Sequence, residues 1–345
     1  MGARETELRG LFDAAEKSCA CFTTRDARLR DALRRAMKRG EVVRPARGVY
    51  ARSPYWLSLA DREKGLHVLR ALQLAHPDWV FCGCSAALAY DMPVPFSQMG
   101  DVHVATSRSR RNRSTKDAVF HALPEGDPVF SVSGVKVVSY ERALLDCMRT
   151  SGFGRALAFV DAALRSGRTR EKLLSYFQKE GRGYPGVLRA AKALLYADGR
   201  SESAGESMAR ASMIELGFSL PDLQVPFRRP LDRRRFYRVD FLWMREDGVR
   251  VIGEFDGRGK YEDAALRGDR SAVQVLEEER KRESRLTIYG MPIVRFSYHD
   301  IANKARFSRL LEEFGVPRRL EAAEEHRRME RSRLLSAKTF SIVPF

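Results

Sequence analysis

Residues 236–256 read FYRVDFLWMREDGVRVIGEFD, two β-prone runs separated by Glu246-Asp247-Gly248. An Asp-Gly step between such runs is a strong short-range hairpin signal. The spacing predicts one strand over 236–243 and a second over 249–256. Pairing across a three-residue loop sets Asp240 opposite Glu254, while other loop lengths slip the register by about one position. Directly opposed Cβ atoms lie about 5 Å apart, close enough for two carboxylates to share an ion. Asp256 follows Glu254 by two residues, so strand alternation puts it on the same face. Three carboxylates beside Val239, Phe241, Trp243, Val251 and Ile252 call for a neutralising cation or basic partner. Oxygen-only ligands favour a hard ion, Mg²⁺ or Mn²⁺, which would make Asp240, Glu254 and Asp256 metal ligands. The alternative is a surface hairpin whose acids face the many arginines.

Working outward, a helix is expected over 203–216, ended by Gly217. A long helix is expected over 271–289, a strand over 292–298 and a further helix over 306–314. This order predicts a small α/β sheet with helices on both faces. Upstream, strands are expected over 101–105, 118–122 and 135–138, and a helix over 155–166, with residues 181–186 as a turn. Between two of these strands, Arg108, Arg110, Arg111, Arg113 and Lys116 make a loop that reads either as a phosphate clamp or as a solvated segment.

Residues 23–52 read as a short helix, a second helix and a hairpin. The second helix places Leu29, Leu33, Ala36 and Met37 on one stripe, with Arg28, Arg30, Arg34, Arg35, Lys38 and Arg39 around it. After Gly40, the run 42–50 (VVRPARGVY) has strand-forming ends and a basic tip at Arg44 and Arg47. Helix, glycine and basic hairpin together are the pattern of a winged helix-turn-helix, with these cations as candidate DNA contacts.

The fold class expected is therefore α/β multidomain: a winged-helix domain over 1–60, a mixed α/β domain over 61–197, an α/β domain over 198–318 and a basic tail over 319–345. Residues 198–203 would be the linker into the third domain. The 345-residue chain carries 62 Lys and Arg against 45 Asp and Glu, a net charge of +17. A polyanionic partner is the direct implication. The N-terminus lacks an apolar segment of signal type, though it formally fits a myristoylation pattern. Residues 71–90 are interrupted by His76, Pro77 and Asp78, which excludes a membrane span there. A cytoplasmic protein with no membrane partner is expected. Five cysteines argue against a disulfide framework, and the close pairs Cys19/Cys21 and Cys82/Cys84 read as buried free thiols rather than zinc ligands.

Two resemblances sharpen these expectations. Arg39-Gly40, Arg44 and Arg47-Gly48-Val49-Tyr50, with Ser85-Ala86-Ala87 and the stretch 137–146 (VVSYERALLD), resemble the AbiEi family of antitoxin regulators over about half the chain. That likeness implies a winged-helix DNA-binding unit followed by a mixed α/β domain, and adds a cognate toxin or another defence protein as a partner class. Val239-Asp240-Phe241, the run 253–261 (GEFDGRGKY), Glu279-Arg280-Lys281-Arg282-Glu283 and Val294-Arg295-Phe296 resemble the Vsr-like branch of the PD-(D/E)XK nucleases, a restriction endonuclease-like α/β fold. The resemblance implies that Asp240 and Glu254 bind metal, that Glu206 completes the shell, and that the protein is a metal-dependent endodeoxyribonuclease acting in defence or mobile-element control. Asp256 stands where the superfamily signature has lysine. Lys260 is the cation that would replace it, or else an exposed loop residue. Arg282 is a candidate phosphate contact, or a helix partner of Glu278 or Glu279. His299 reads as a turn residue. The alternative function is a repressor or antitoxin whose nuclease-like domain only binds.

Overall fold

The computed structural model describes residues 3–95, 101–106, 118–123, 126–230, 232, 234–257, 272–319, 321 and 324, with some side chains in the 272–286 helix left undescribed. Lys260, the basic loop around Arg110 and Arg327, Arg328, Arg331 and Arg333 of the tail lie outside these residues. The chain divides into two compact units, 1–147 and 148–345. Both mix helices with sheet, and among the described residues no helix is long and apolar enough to cross a membrane.

The first unit opens with α1 (Ala3–Lys17), β1 (Phe22–Thr23), α2 (Ala27–Lys38), β2 (Val42–Ala46), β3 (Val49–Arg52) and α3 (Ser53–Ser58). The short helix expected near residue 23 is instead β1, which pairs with β3. Asp26 then caps α2 by accepting from the Arg28 N–H at 2.7 Å, which leaves no room for another turn. Phe12, Phe22, Leu33, Ala36, Val42 and Tyr50 form the core, with Leu29 and Met37 packed against it, so the apolar stripe of α2 faces inward as expected. Gly40, at φ +75°, ends α2, and Arg47-Gly48 turns β2 into β3.

The unit continues with α4 (Asp61–Ala75), β4 (Val80–Phe81), α5 (Gly83–Ala89), β5 (His103–Thr106), β6 (Val119–Ala122), β7 (Phe130–Val132), β8 (Val135–Val137) and α6 (Tyr140–Thr150), the last ending just past the unit boundary. Five strands form a mixed sheet in the order β6-β5-β4-β8-β7. None of the five cysteines is in a disulfide. Cys21, Cys82 and Cys147 are buried, but Cys19 is exposed, against expectation, because it sits in a left-handed turn at φ +50° after α1.

The second unit holds α7 (Phe153–Arg165), α8 (Arg170–Glu180), α9 (Val187–Leu195), α10 (Ala204–Leu216), β9 (Asp222–Arg228), β10 (Phe236–Met244), β11 (Arg250–Asp256), α11 (Ala272–Leu286), β12 (Ile293–Ser297), α12 (Tyr298–Ala302) and α13 (Lys304–Glu313). Residues 198–203 are not a free linker. The Asp198 N–H donates to Asp161 at 2.7 Å, and buried Ser201 and Asp161 both bind Arg210. These contacts fasten α7 to α10, so α7–α9 belong with the C-terminal sheet and the expected boundary after 197 moves to 147.

The sheet runs β12-β11-β10-β9, with β12 parallel to β11 and the rest antiparallel. The β10–β11 loop is the expected one. The Arg245 N–H donates to the Val249 carbonyl at 2.9 Å, and Gly248 stands at φ +81°. Phe241 lies opposite Gly253 and Trp243 opposite Val251. One apolar face packs with residues of α10, α12 and α13, through Phe241, Trp243, Val251, Phe255 and Phe296. The other carries Tyr237, Val239, Leu242 and Ile252 against Leu286 of α11. Val239 and Phe241 share strand parity yet join opposite cores, as do Val225 and Leu223 on β9. Both strands therefore reverse their facing at Asp240 and at Gln224, whose φ is +55°.

Candidate functional site

The reversal places polar side chains where a regular sheet would bury apolar ones. From the Arg245–Val249 pair, antiparallel alternation would send the Phe255 N–H to the Val239 carbonyl. Instead it donates to Asp240 Oδ2 at 2.8 Å. Asp240 thus takes over a ladder bond at the point where β10 and β11 part, just beyond the last pair, Phe241 with Gly253.

Glu206 arrives from the first turn of α10. Ser203 caps that helix, accepting from the Glu206 N–H at 3.2 Å and donating its hydroxyl to Glu206 Oε1 at 2.8 Å. Glu206 Oε2 accepts the Glu202 N–H at 2.8 Å and Gln224 Nε2 at 2.9 Å. The same Gln224 nitrogen stands 3.5 Å from Asp240 Oδ1, so one amide bridges two carboxylates from different elements. Burial, followed by the nearby Asp240 charge, pushes the Glu206 carboxyl above its ordinary value; the hydrogen bonds only partly offset this. Burial and then Glu206 raise the phenol of Tyr298, which stacks edge-on to Phe255 at 5.0 Å.

Asp240, Glu254 and Asp256 do not converge on one ion as expected. Glu254, only 4% exposed, pairs with Arg282 at 2.9 Å, and the same Arg282 nitrogen donates to the Arg238 carbonyl at 2.5 Å. Asp256 lies 3.8 Å from Arg295. Among the described residues no group of three His, Cys, Asp or Glu is placed to hold a metal. Arginines arriving from α11 and β12 take two of the three acids. The donor set that does fit a hard divalent cation is Glu206 with Asp240: Mg²⁺ commonly takes one or two carboxylates and completes its shell with water and phosphate oxygens. Arg282 anchors Glu254 rather than pointing to solvent. Its other suggested partners, Glu278 and Glu279, have side chains outside the described set. His299 is exposed in α12.

In the first unit the basic candidates share an exposed zone. Arg30, Arg34, Arg35, Lys38 and Arg39 on α2, and Arg44 and Arg47 on the hairpin, are all exposed. Two are partly neutralised, Arg34 by Asp31 at 2.8 Å and Arg39 by a two-pronged contact with Glu41 at 2.8 and 2.9 Å.

Gln224, Arg238 and Tyr298 were not singled out from sequence. A glutamine in a left-handed strand kink leaves no residue-type signal.

No protein-family model matches the chain. Over 102 residues, 30% of its length, it is 46% identical to uncharacterized proteins from two strains of Mycobacterium tuberculosis. The matched segment spans 36% of those relatives.

Proposed function

We propose that this is a DNA-binding, divalent-cation-dependent phosphodiester hydrolase of PD-(D/E)XK type, with an N-terminal winged helix, acting in defence or mobile-element control. The observation that carries the reading is the placement of Glu206 and Asp240 on one bridging amide, with Asp240 also accepting the N–H of Phe255, the residue after buried Glu254. Packing two carboxylates together against burial costs free energy that a cation would return. Glu206 and Asp240 would hold Mg²⁺ or Mn²⁺. The chemistry such an ion supplies there is activation of water and neutralisation of phosphate charge. The chain's own residues set the geometry: the Phe255 N–H orients Asp240, Ser203 and Gln224 orient Glu206, and Arg282 pairs with Glu254. The exposed cations of α2 and the β2–β3 hairpin would grip the DNA backbone.

A second reading is favoured by the Glu254–Arg282 pair, which ties up one acid of the signature: an AbiEi-type repressor or antitoxin that binds a toxin or DNA without turnover. Plasmid, linear and single-stranded DNA incubated with protein and Mg²⁺ or Mn²⁺ separate the two. Under the first reading cleavage occurs and drops by about two to three orders of magnitude in Asp240→Asn and in Glu206→Gln. Absence of cleavage on every substrate overturns the first and favours the second, and cleavage that survives both substitutions removes these residues from the mechanism.

A further inference from the structure

The β9–β10 hairpin carries a feature that the carboxylate site does not use. Residues 228–238 contain six arginines and one aspartate. The register sets Arg228 opposite Phe236 and Pro226 opposite Arg238, so these four share one face of the hairpin. That face is turned away from the Tyr237–Val239 core and is exposed, with Phe236 at 49%. The guanidinium of Arg228 lies 5.5 Å from the Phe236 ring centre. Arg234, at the turn, is exposed. A solvent-facing aromatic ring among arginines is the composition of a base-stacking platform within a phosphate-binding strip.

The strip also leads somewhere. Arg238 is two residues from Asp240 on the same strand, about 7 Å of chain. Its guanidinium pairs with Glu202, whose N–H in turn holds Glu206. Its carbonyl receives Arg282, the partner of Glu254. We infer that the outer face of the β9–β10 hairpin binds an unpaired polynucleotide strand, stacking a base on Phe236 and holding phosphates with Arg228 and Arg234, and leads it to the Glu206–Asp240 site. A duplex keeps its bases stacked on each other and offers none to Phe236, so the platform selects single strands or frayed ends. The inference rests on the proposed function only for the strand's being the substrate; the binding stands apart from it.

The test is fluorescence anisotropy with the full chain in EDTA, using a labelled mixed-sequence 20-mer as single-stranded DNA, as single-stranded RNA and as blunt duplex DNA. Phe236→Ala is expected to weaken single-strand binding about tenfold, with Phe236→Trp retaining it. Arg228→Ala and Arg234→Ala are each expected to reduce the salt slope on the single strand by about 0.7. Duplex binding should change less than about twofold, because no stacked base is lost. Weakening on the DNA or the RNA strand supports the inference and identifies the backbone recognised. Unchanged binding of both single strands by Phe236→Ala, or equal weakening on the duplex, overturns it. Loss of strand binding in Phe236→Ala without any Mg²⁺-dependent cleavage by the wild type leaves this inference standing while the hydrolase reading fails. Cleavage that depends on Asp240 with strand binding indifferent to Phe236 does the reverse.

Discussion

Glu254 is buried in contact with the Arg282 guanidinium, and that pairing sets what its removal costs. Arg282→Met leaves a carboxylate 4% exposed without its cation, so a loss of about 3 kcal/mol in the stability of the second unit is expected. Chemical denaturation with and without Mg²⁺ checks it: under the hydrolase reading Mg²⁺ recovers part of the loss, and under the repressor reading it recovers none. His67 is the corresponding residue in the first unit. Only 3% exposed, it bonds the Glu63 carbonyl at 2.7 Å and the Tyr55 hydroxyl at 2.8 Å. Burial lowers its pKa below 6.5, outweighing the Glu63 carbonyl. The fold thus refuses a proton that the unfolded chain accepts, and stability is full above about pH 6.5 and falls as pH drops through that value. Amide exchange of α4, corrected for its intrinsic pH dependence, should quicken between pH 7 and 5.5, and less so in His67→Gln. At this scale the register that pairs Phe241 with Gly253 and Trp243 with Val251 was readable, because an Asp-Gly turn and period-two alternation fix a register locally. The arginines that claim Glu254 and Asp256 were not, since they reach those acids across helix–sheet and strand–strand contacts that local periodicity does not encode.

Elements whose apolar spacing was continuous were readable from sequence to within a few residues: α10, β10, β11, α11, β12 and α13 all lie where expected. β9 was not, because Pro226 and the Arg228-Arg229 pair after it break a strand pattern and only an edge position tolerates that proline. α1 carries Leu8, Leu11, Phe12 and Ala15 at helical spacing, but its stripe has meaning only once Phe22 and Leu33 cover it. The joining of α7 to α10 was likewise invisible, since it depends on a buried ion pair, Asp161 with Arg210 at 3.0 Å. Arg210→Ala should cost about 3–5 kcal/mol, and the double variant Asp161→Leu with Arg210→Met should regain part of it, because the charge left behind and not the missing attraction dominates. Close approach matters as much as charge at the other side of α10. A Cβ on Gly205 would lie 2.1 Å from the Phe255 ring. Gly205→Ala is therefore expected to destabilise by about 1–3 kcal/mol and to shift the turn that carries Glu206. Under the hydrolase reading the same variant should need more Mg²⁺ for half-maximal cleavage, whereas a helix that merely packs would lose stability with that requirement unchanged.

Over the whole molecule the formal charge of +17 divides as +6 on residues 1–147 and +11 on 148–345, so neither unit alone accounts for it. Total charge read from sequence pointed to a polyanion but not to which surface meets it, and the expected boundary after residue 197 would have credited α7–α9 to the wrong unit. Placement of the cations separates two modes of contact. In the first unit they stand on a capped helix and a hairpin tip, with apolar residues turned inward and no exposed aromatic among them, the surface to which the proposed function assigns backbone contacts. In the second they surround an exposed phenylalanine. Duplex DNA should therefore report on the first. Replacing Arg30, Arg35 and Arg44 together by alanine is expected to reduce the slope of log affinity against log salt on duplex DNA by about 2 to 3, since each lost phosphate contact contributes about 0.9. Arg39→Ala, whose guanidinium is already committed to Glu41, should change it by less than one contact's worth. A duplex slope indifferent to the triple substitution, measured by anisotropy from about 50 to 300 mM salt, would move DNA recognition off α2 and its hairpin and leave the second unit to carry it alone.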